Sequence, residues 1–253
     1  MEPLDREAVR RFLQAREHLD LTPLAVHDNY LINLASADPQ LLKRSIAAFR
    51  CEIRRALAIG AEYLVAHPGN HRGQSLEKGL ETVAQALIRA ACGIKAPRMT
   101  LLLENTAGSG AALGARLEEL AYLREQVAGR LDIAVGFCLD TAHCLAAGYD
   151  VSSAAGLRVA TRQIGRVLGW ENVRLIHAND SKTGLGSRRD RHEHIGEGAI
   201  GREGFRRLLT RPRWRGLPFI LETPRRTEDD DRRNLQTLKD LCRRRTTTRS
   251  ASK

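Results

Sequence analysis

Residues 135–143, VGFCLDTAH, climb through a short apolar run to Asp140 and reach His143 three positions later. A run of this length, rich in Val, Phe and Leu, reads as a buried strand. Its last residue is an acid, an expensive group to bury without a partner. Five other runs have the same form. LTPLAVH (21–27) ends at His27, YLVAH (63–67) at His67 and MTLLLE (99–104) at Glu104; VRLIH (173–177) ends at His177 and PFILE (218–222) at Glu222. Successive end residues stand 36 to 45 positions apart, room for one strand, one helix and two loops. In a (β/α) barrel all strands point one way, so their C-terminal ends converge on one mouth. Six ligand-type side chains, distant in sequence, are thereby predicted to meet.

The segments between these runs have helical spacing. Asp38-Pro39 opens the first as an N-cap followed by proline at the first helical position, and Gly60 is its expected stop. Residues 75–93, 115–129, 155–169 and 203–212 read the same way, and further helices are expected near residues 5–19 and 232–244. Strand and helix alternate, which implies a parallel sheet. Six strands are recognisable where a closed barrel has eight. The expected fold is therefore an α/β TIM (β/α)8-type barrel with six recognisable strands, either lacking its first two βα units or open along one side. Residues 1–242 are expected to form a single domain, with 243–253 a basic disordered tail.

The bulk composition narrows the setting. The chain has 253 residues, 42% of them hydrophobic, enough for one large domain. No stretch approaches the ~20 apolar residues of a membrane span, and the charged start MEPLDREAVRR reads as neither signal peptide nor anchor. The five cysteines are scattered and never spaced CxxC; Cys138 and Cys144 read as small core residues. A reducing, cytoplasmic setting follows. A net charge of +11 and a pI near 10.0 suit a polyanionic partner such as nucleic acid.

Three more ligand types lie near the strand ends: His143, and the Asp190/His192 pair, which an extended loop would point the same way. The set becomes His27, His67, Glu104, Asp140, His143, His177, Asp190, His192 and Glu222. A lone histidine at a strand end is more often a satisfied polar residue, and a lone acid is often a helix cap. Such accidents would not recur at every recognisable strand end. Nine ligands exceed the four of one tetrahedral zinc and suit three metals with bridging carboxylates. His18, His71 and His194 read as ordinary loop or surface residues.

The motifs resemble those of the endonuclease IV family of apurinic/apyrimidinic endonucleases, three-zinc TIM-barrel DNA repair enzymes. The resemblance runs through HDNYLINLAS (27–36), HPGNH (67–71), LENTAGSG (103–110), GFCLDTAHCLAAGYD (136–150), HANDSK (177–182), GSRRDRHEHIGEGAIG (186–201) and LETP (221–224). It implies one zinc on His27, His67 and Glu104, and a second on the bridging Glu104 with Asp140, His177 and Glu222. The third would lie on His143, Asp190 and His192. Manganese is the substitute ion to test. The implied reaction is hydrolysis 5′ to an abasic site in double-stranded DNA, leaving a 3′-hydroxyl and a 5′-deoxyribose phosphate, with Glu104 and Glu222 in catalytic roles. Tyr30 resembles a residue that pushes into the duplex at the lesion, while Lys182, Arg188, Arg189 and Arg191 are placed to grip phosphates. A monomer without an obligate protein partner is expected. The family begins with two further βα units, and the chain starts after them. Two alternatives stand beside this reading: a metal-dependent sugar isomerase or epimerase of the same barrel superfamily, and a truncated, catalytically weak DNA-binding relic.

Overall fold

A computed structural model describes residues 4–243 of the chain. Six strands form one parallel sheet that curls into a partial barrel: β1 (Ala25–His27), β2 (Tyr63–Ala66), β3 (Ala96–Glu104), β4 (Ile133–Asp140), β5 (Val173–His177) and β8 (Phe219–Ile220), in that spatial order. The six-stranded expectation holds. Between β5 and β8 the chain adds an antiparallel hairpin, β6 (Asp180–Ser181) and β7 (His192–Glu193), which the sequence reading did not anticipate. Each edge strand has only two or three residues, which limits the unpaired backbone left at the opening.

Nine helices surround the sheet among the described residues: α1 (Arg6–His18), α2 (Pro39–Ala58), α3 (Leu76–Ala91), α4 (Leu117–Val127), α5 (Thr141–Ala147), α6 (Ala154–Val167), α7 (Gly201–Thr210), α8 (Pro212–Arg215) and α9 (Asp230–Cys242). Asp38 caps α2 through the amides of Gln40 and Leu41, and Gly60, with φ of 68°, follows its end as expected. Short α5 begins on Asp140 itself, whose carboxylate accepts from the His143 amide at 2.7 Å. Of the expected basic tail, residues 244–253 lie outside the described residues.

Side chains alternate across the sheet. Leu64, Leu101, Leu103, Phe137, Leu139 and Ile176 face outward and pack under the helices in the main core. Val65, Leu102, Cys138 and Leu175 face inward with Ala25, Tyr63 and Ile220, forming a small second core inside the curl. Each strand-end ligand candidate lies two residues beyond one of these inward side chains. His27, His67, Glu104, Asp140, His177 and Glu222 are thus the next layer of the interior, one pleat above Ala25, Val65, Leu102, Cys138, Leu175 and Ile220. Parallel register sets Asp140 directly beside His177.

Helix α1 has no buried residue, yet it is fastened to the sheet. Arg16 donates to both carboxylate oxygens of Glu62 at 2.5 and 2.6 Å and to the carbonyls of Leu21 and Gly60; Glu62 in turn accepts from the Leu24 amide at 2.7 Å. No helix among the described residues is long and apolar enough to cross a membrane.

Candidate metal centre and active site

Glu104 is the hub of the centre. It is fully buried, with one oxygen 2.8 Å from His27 Nε2 and the other 2.7 Å from His177 Nδ1. His67 Nε2 lies 3.6 Å and His143 Nδ1 3.9 Å from the same carboxylate. Glu222 reaches His177 at 3.1 Å. Asp190 lies 3.2 Å from His143 and 3.3 Å from His192, and His192 is 3.6 Å from Asp140. All nine sequence-derived candidates therefore join one contact network.

Their potential ligand atoms gather into groups: His27, His67 and Glu104; Glu104, Asp140, His177 and Glu222; and Asp140, His143 and His192. The first two match the expected sets. In the third, Asp140 stands where Asp190 was expected, with Asp190 touching both histidines from the solvent side; its side chain is 54% exposed. A fourth group, Glu104 with Cys138 and His177, is weaker as a donor set. Burial, with Glu104 close by, pushes the Cys138 thiol up to about 12, so it stays protonated as part of the inner core.

The histidine tautomers are legible from their partners. A backbone carbonyl can only accept, so His27 Nδ1 donates to Asp28 O at 3.0 Å, His143 Nδ1 to Asn105 O at 2.9 Å and His192 Nδ1 to Glu222 O at 3.1 Å. Each leaves Nε2 to turn toward the carboxylates. An imidazole fixed in this way through its outer nitrogen is the usual arrangement of a metal-ligating histidine. His67 Nδ1, His143 Nε2 and His192 Nε2 are buried with no hydrogen-bond partner. Asp190 lies near His143 Nε2 but off the hydrogen-bond direction. Buried nitrogens are rarely left unpaired, and a divalent cation on the lone pairs of His143 Nε2 and His192 Nε2, which both face carboxylates, completes those two. The donor set fits such ions.

The electrostatics carry the same demand for positive charge. Against the burial that favours neutral rings, Asp28 and Glu104 hold the His27 imidazole protonated up to about 11, and Asp140 with Asp190 and Glu104 hold His143 up to about 10. His177 is raised likewise, against its burial, by Glu104. His67 goes the other way, pushed down by desolvation. Despite its burial, Glu104 is held well below the usual carboxylate range by His67, His177 and His27, and Glu222, also against burial, is lowered by His177.

Four contributors escaped the sequence reading. Asp28, 8% exposed, lies 3.3 Å from His27 Nδ1, and its carboxyl is raised by burial. Asn105 Oδ1 accepts from the Asp140 amide at 2.7 Å. Asn179 Nδ2 donates to Asp140 at 2.5 Å while its oxygen accepts from the Glu222 amide at 2.8 Å. Buried Asp180 accepts from five backbone amides, those of Ser181, Gly196, Gly198, Ile200 and Gly201. The available signal was position, since each follows a strand-end ligand by one to three residues. His194 is the loop residue expected, though not at the surface: it follows β7, is 3% exposed, and its Nδ1 accepts from Asn234 Nδ2 at 3.0 Å.

Beside the centre opens a cleft of about 380 Å³, lined by Asp28, Tyr30, Asn70, Ser109, His143 and Asp190 among others. Tyr30 stands 91% exposed on its rim. Asn33 ties the two loops below it, accepting from Asn70 N at 2.9 Å and donating to Asn70 O at 3.0 Å. Gly69, with φ of 101°, packs there so closely that a Cβ would come 2.5 Å from Asn33 Oδ1. Lys182, Arg188, Arg189 and Arg191 are exposed on the loop that carries Asp190.

Residues 1–244 match the family described as xylose isomerase-like TIM barrel. A protein of Solibacter usitatus named "Probable endonuclease 4" is 52% identical over 238 residues, covering 94% of this chain and 82% of its own length. The chain belongs to the endonuclease IV family. A relative of the same name from Chloroflexus aurantiacus is 43% identical, covering 94% of this chain and 84% of its own. The crystal structure of endonuclease IV from Thermus thermophilus superposes with a TM-score of 0.81 at 38% identity, covering 95% of this chain and 83% of that one. A D-tagatose 3-epimerase-like protein shares the fold at 20% identity and a TM-score of 0.68. The endonuclease IV resemblance and the barrel class read from the motifs are thereby borne out.

Proposed function

We propose that this endonuclease IV family member is a three-zinc apurinic/apyrimidinic endonuclease, hydrolysing the phosphodiester 5′ to an abasic site in duplex DNA. Membership of the family makes it a hydrolase of nuclease type. The observation that carries the finer reading is the convergence of five imidazoles on four carboxylates at the barrel mouth, with three buried ring nitrogens unpartnered.

His27, His67 and Glu104 would hold one ion; Glu104, Asp140, His177 and Glu222 a second; His143, Asp190 and His192 the third, with Asp140 within reach of it. Such ions neutralise an anionic diester and make water a competent nucleophile near neutral pH. The four carboxylates alone would repel a phosphodiester, and three divalent cations reverse that sign. Glu222, one-third exposed at its side chain and kept ionised by His177, would orient the attacking water. Buried Glu104 fixes the relative positions of the imidazoles around it. Tyr30 is placed to enter the duplex, where a missing base lowers the cost of unstacking. Lys182, Arg188 and Arg191 grip flanking phosphates, Lys182 while 3.8 Å from Glu193.

The test is a duplex containing one abasic site, incubated with zinc-loaded protein and then with chelator. Incision on the 5′ side that leaves a 3′-hydroxyl and is lost with chelator is expected; folded, zinc-loaded protein that leaves the duplex intact defeats the proposal. The reading takes the enzyme as a cytoplasmic monomer, to be checked by sedimentation and cell fractionation. A sugar isomerase or epimerase has only the shared fold behind it.

A further inference from the structure

We propose that Asp180 is the positioning residue for the part of the centre that Asp190 and His192 supply, serving as the anion around which their loop is folded. The proposal rests on the metal-binding reading above. Asp180 is fully buried and, among the described residues, has no cationic side chain within ion-pair distance. Its charge is compensated by backbone instead. Oδ1 accepts from the amides of Ser181 at 2.8 Å and Ile200 at 2.9 Å; Oδ2 accepts from Gly196 at 2.9 Å, Gly198 at 3.0 Å and Gly201 at 3.2 Å. A buried carboxylate without a counter-ion is tolerated only when its oxygens are saturated in this way.

Those amides close a loop at its neck. The chain leaves at Ser181 and returns at Ala199, whose amide donates to Ser181 O at 2.7 Å. Inside the neck, Asp180 pairs with Glu193 and Ser181 with His192. Asp190 and His192 are therefore carried by a loop whose closing limb, residues 196–201, is pinned to one side chain. None of the Asp180 hydrogen bonds goes to a candidate ligand, so its action on the centre is indirect. Gly198 is shaped to it: a Cβ there would come 2.6 Å from Asp180 Oδ1 and press on the Ser181 carbonyl.

Two variants test the idea from opposite sides. Asp180→Asn keeps the shape but turns one acceptor into an N–H donor facing backbone amides. Gly198→Ala keeps the carboxylate and wedges the loop off it. Both are expected to hold two zinc ions firmly and the third about 10- to 100-fold more weakly, the usual size of an effect one layer out from the ligands. In metal-free protein, amide exchange across residues 182–199 should quicken in both variants, with the rest of the barrel and the cooperativity of melting unchanged. Retention of three tight ions with unchanged exchange in both variants overturns the proposal. So does even loss of all three ions, which would make Asp180 a general fold residue. If the unaltered protein takes up no zinc, the metal reading fails, and the exchange of residues 182–199 still decides whether Asp180 anchors the loop.

Discussion

Glu104 accepts from His27 and His177 on separate oxygens, at 2.8 and 2.7 Å, and belongs to both of the first two ligand groups. Glu104→Gln should therefore cost two of three bound zinc ions and reduce incision to background, as read by metal analysis and the abasic-duplex assay; a variant that keeps three ions contradicts the hub role. The same imidazoles set a pH dependence. In the metal-free fold His27 keeps its proton up to about 11 and His143 up to about 10, whereas the unfolded chain releases those protons near the usual ~6.5. A raised pKa contributes stability that is complete below ~6.5 and is lost as pH climbs toward 10–11. His67, lowered by burial, works the other way but is outnumbered. Glu104, held low, adds stability that is lost only as pH falls below the ordinary carboxylate range. Metal-free protein should thus lose Tm steadily from about pH 6.5 to about 9, while zinc-loaded protein should not, because the metal replaces the protons. A flat or rising metal-free profile would contradict this.

At the scale of elements, alternation does most of the work. Because side chains switch faces at every residue, an inward Leu102, Cys138 or Leu175 sends Glu104, Asp140 or His177 inward two positions on. A one-residue slip of any strand would turn its ligand into the helix layer. The loops need separate fastening, supplied by Asn33, Asn105, Asn179 and Asp180. Helix α1 is held differently, since none of its residues is fully buried and the Arg16–Glu62 fork ties it down. Arg16→Ala should cost about 1.5–3 kcal/mol, lowering Tm on the order of 3–10 °C in a domain of this size, and should speed exchange in α1 first. Loss of Tm without any change in α1 exchange would place the latch elsewhere.

For the whole molecule, the +11 charge is the dominant long-range feature, and exposed Arg188, Arg189 and Arg191 concentrate part of it beside the centre. Binding to undamaged duplex should fall at least ~10-fold between about 50 and 200 mM salt, the release expected from two or more neutralised phosphates. Fluorescence anisotropy checks this, and a salt-independent affinity would remove DNA backbone contact from the account.

Six of the nine candidate ligands were readable from the chain because apolar runs report strands, and strand ends in a parallel barrel share one mouth. Asp190 and His192 were readable as a pair, although their hairpin was not, since strands of two residues leave no periodic signal. Local pattern determines which residues are strand ends and which face they take. Only the tertiary structure decided that Asp140 reaches two ligand groups, that His194 is buried against Asn234, and that five amides from residues 181–201 close on Asp180. Those outcomes depend on distances between segments far apart in sequence, and a hydrogen bond is made or lost within a few tenths of an ångström.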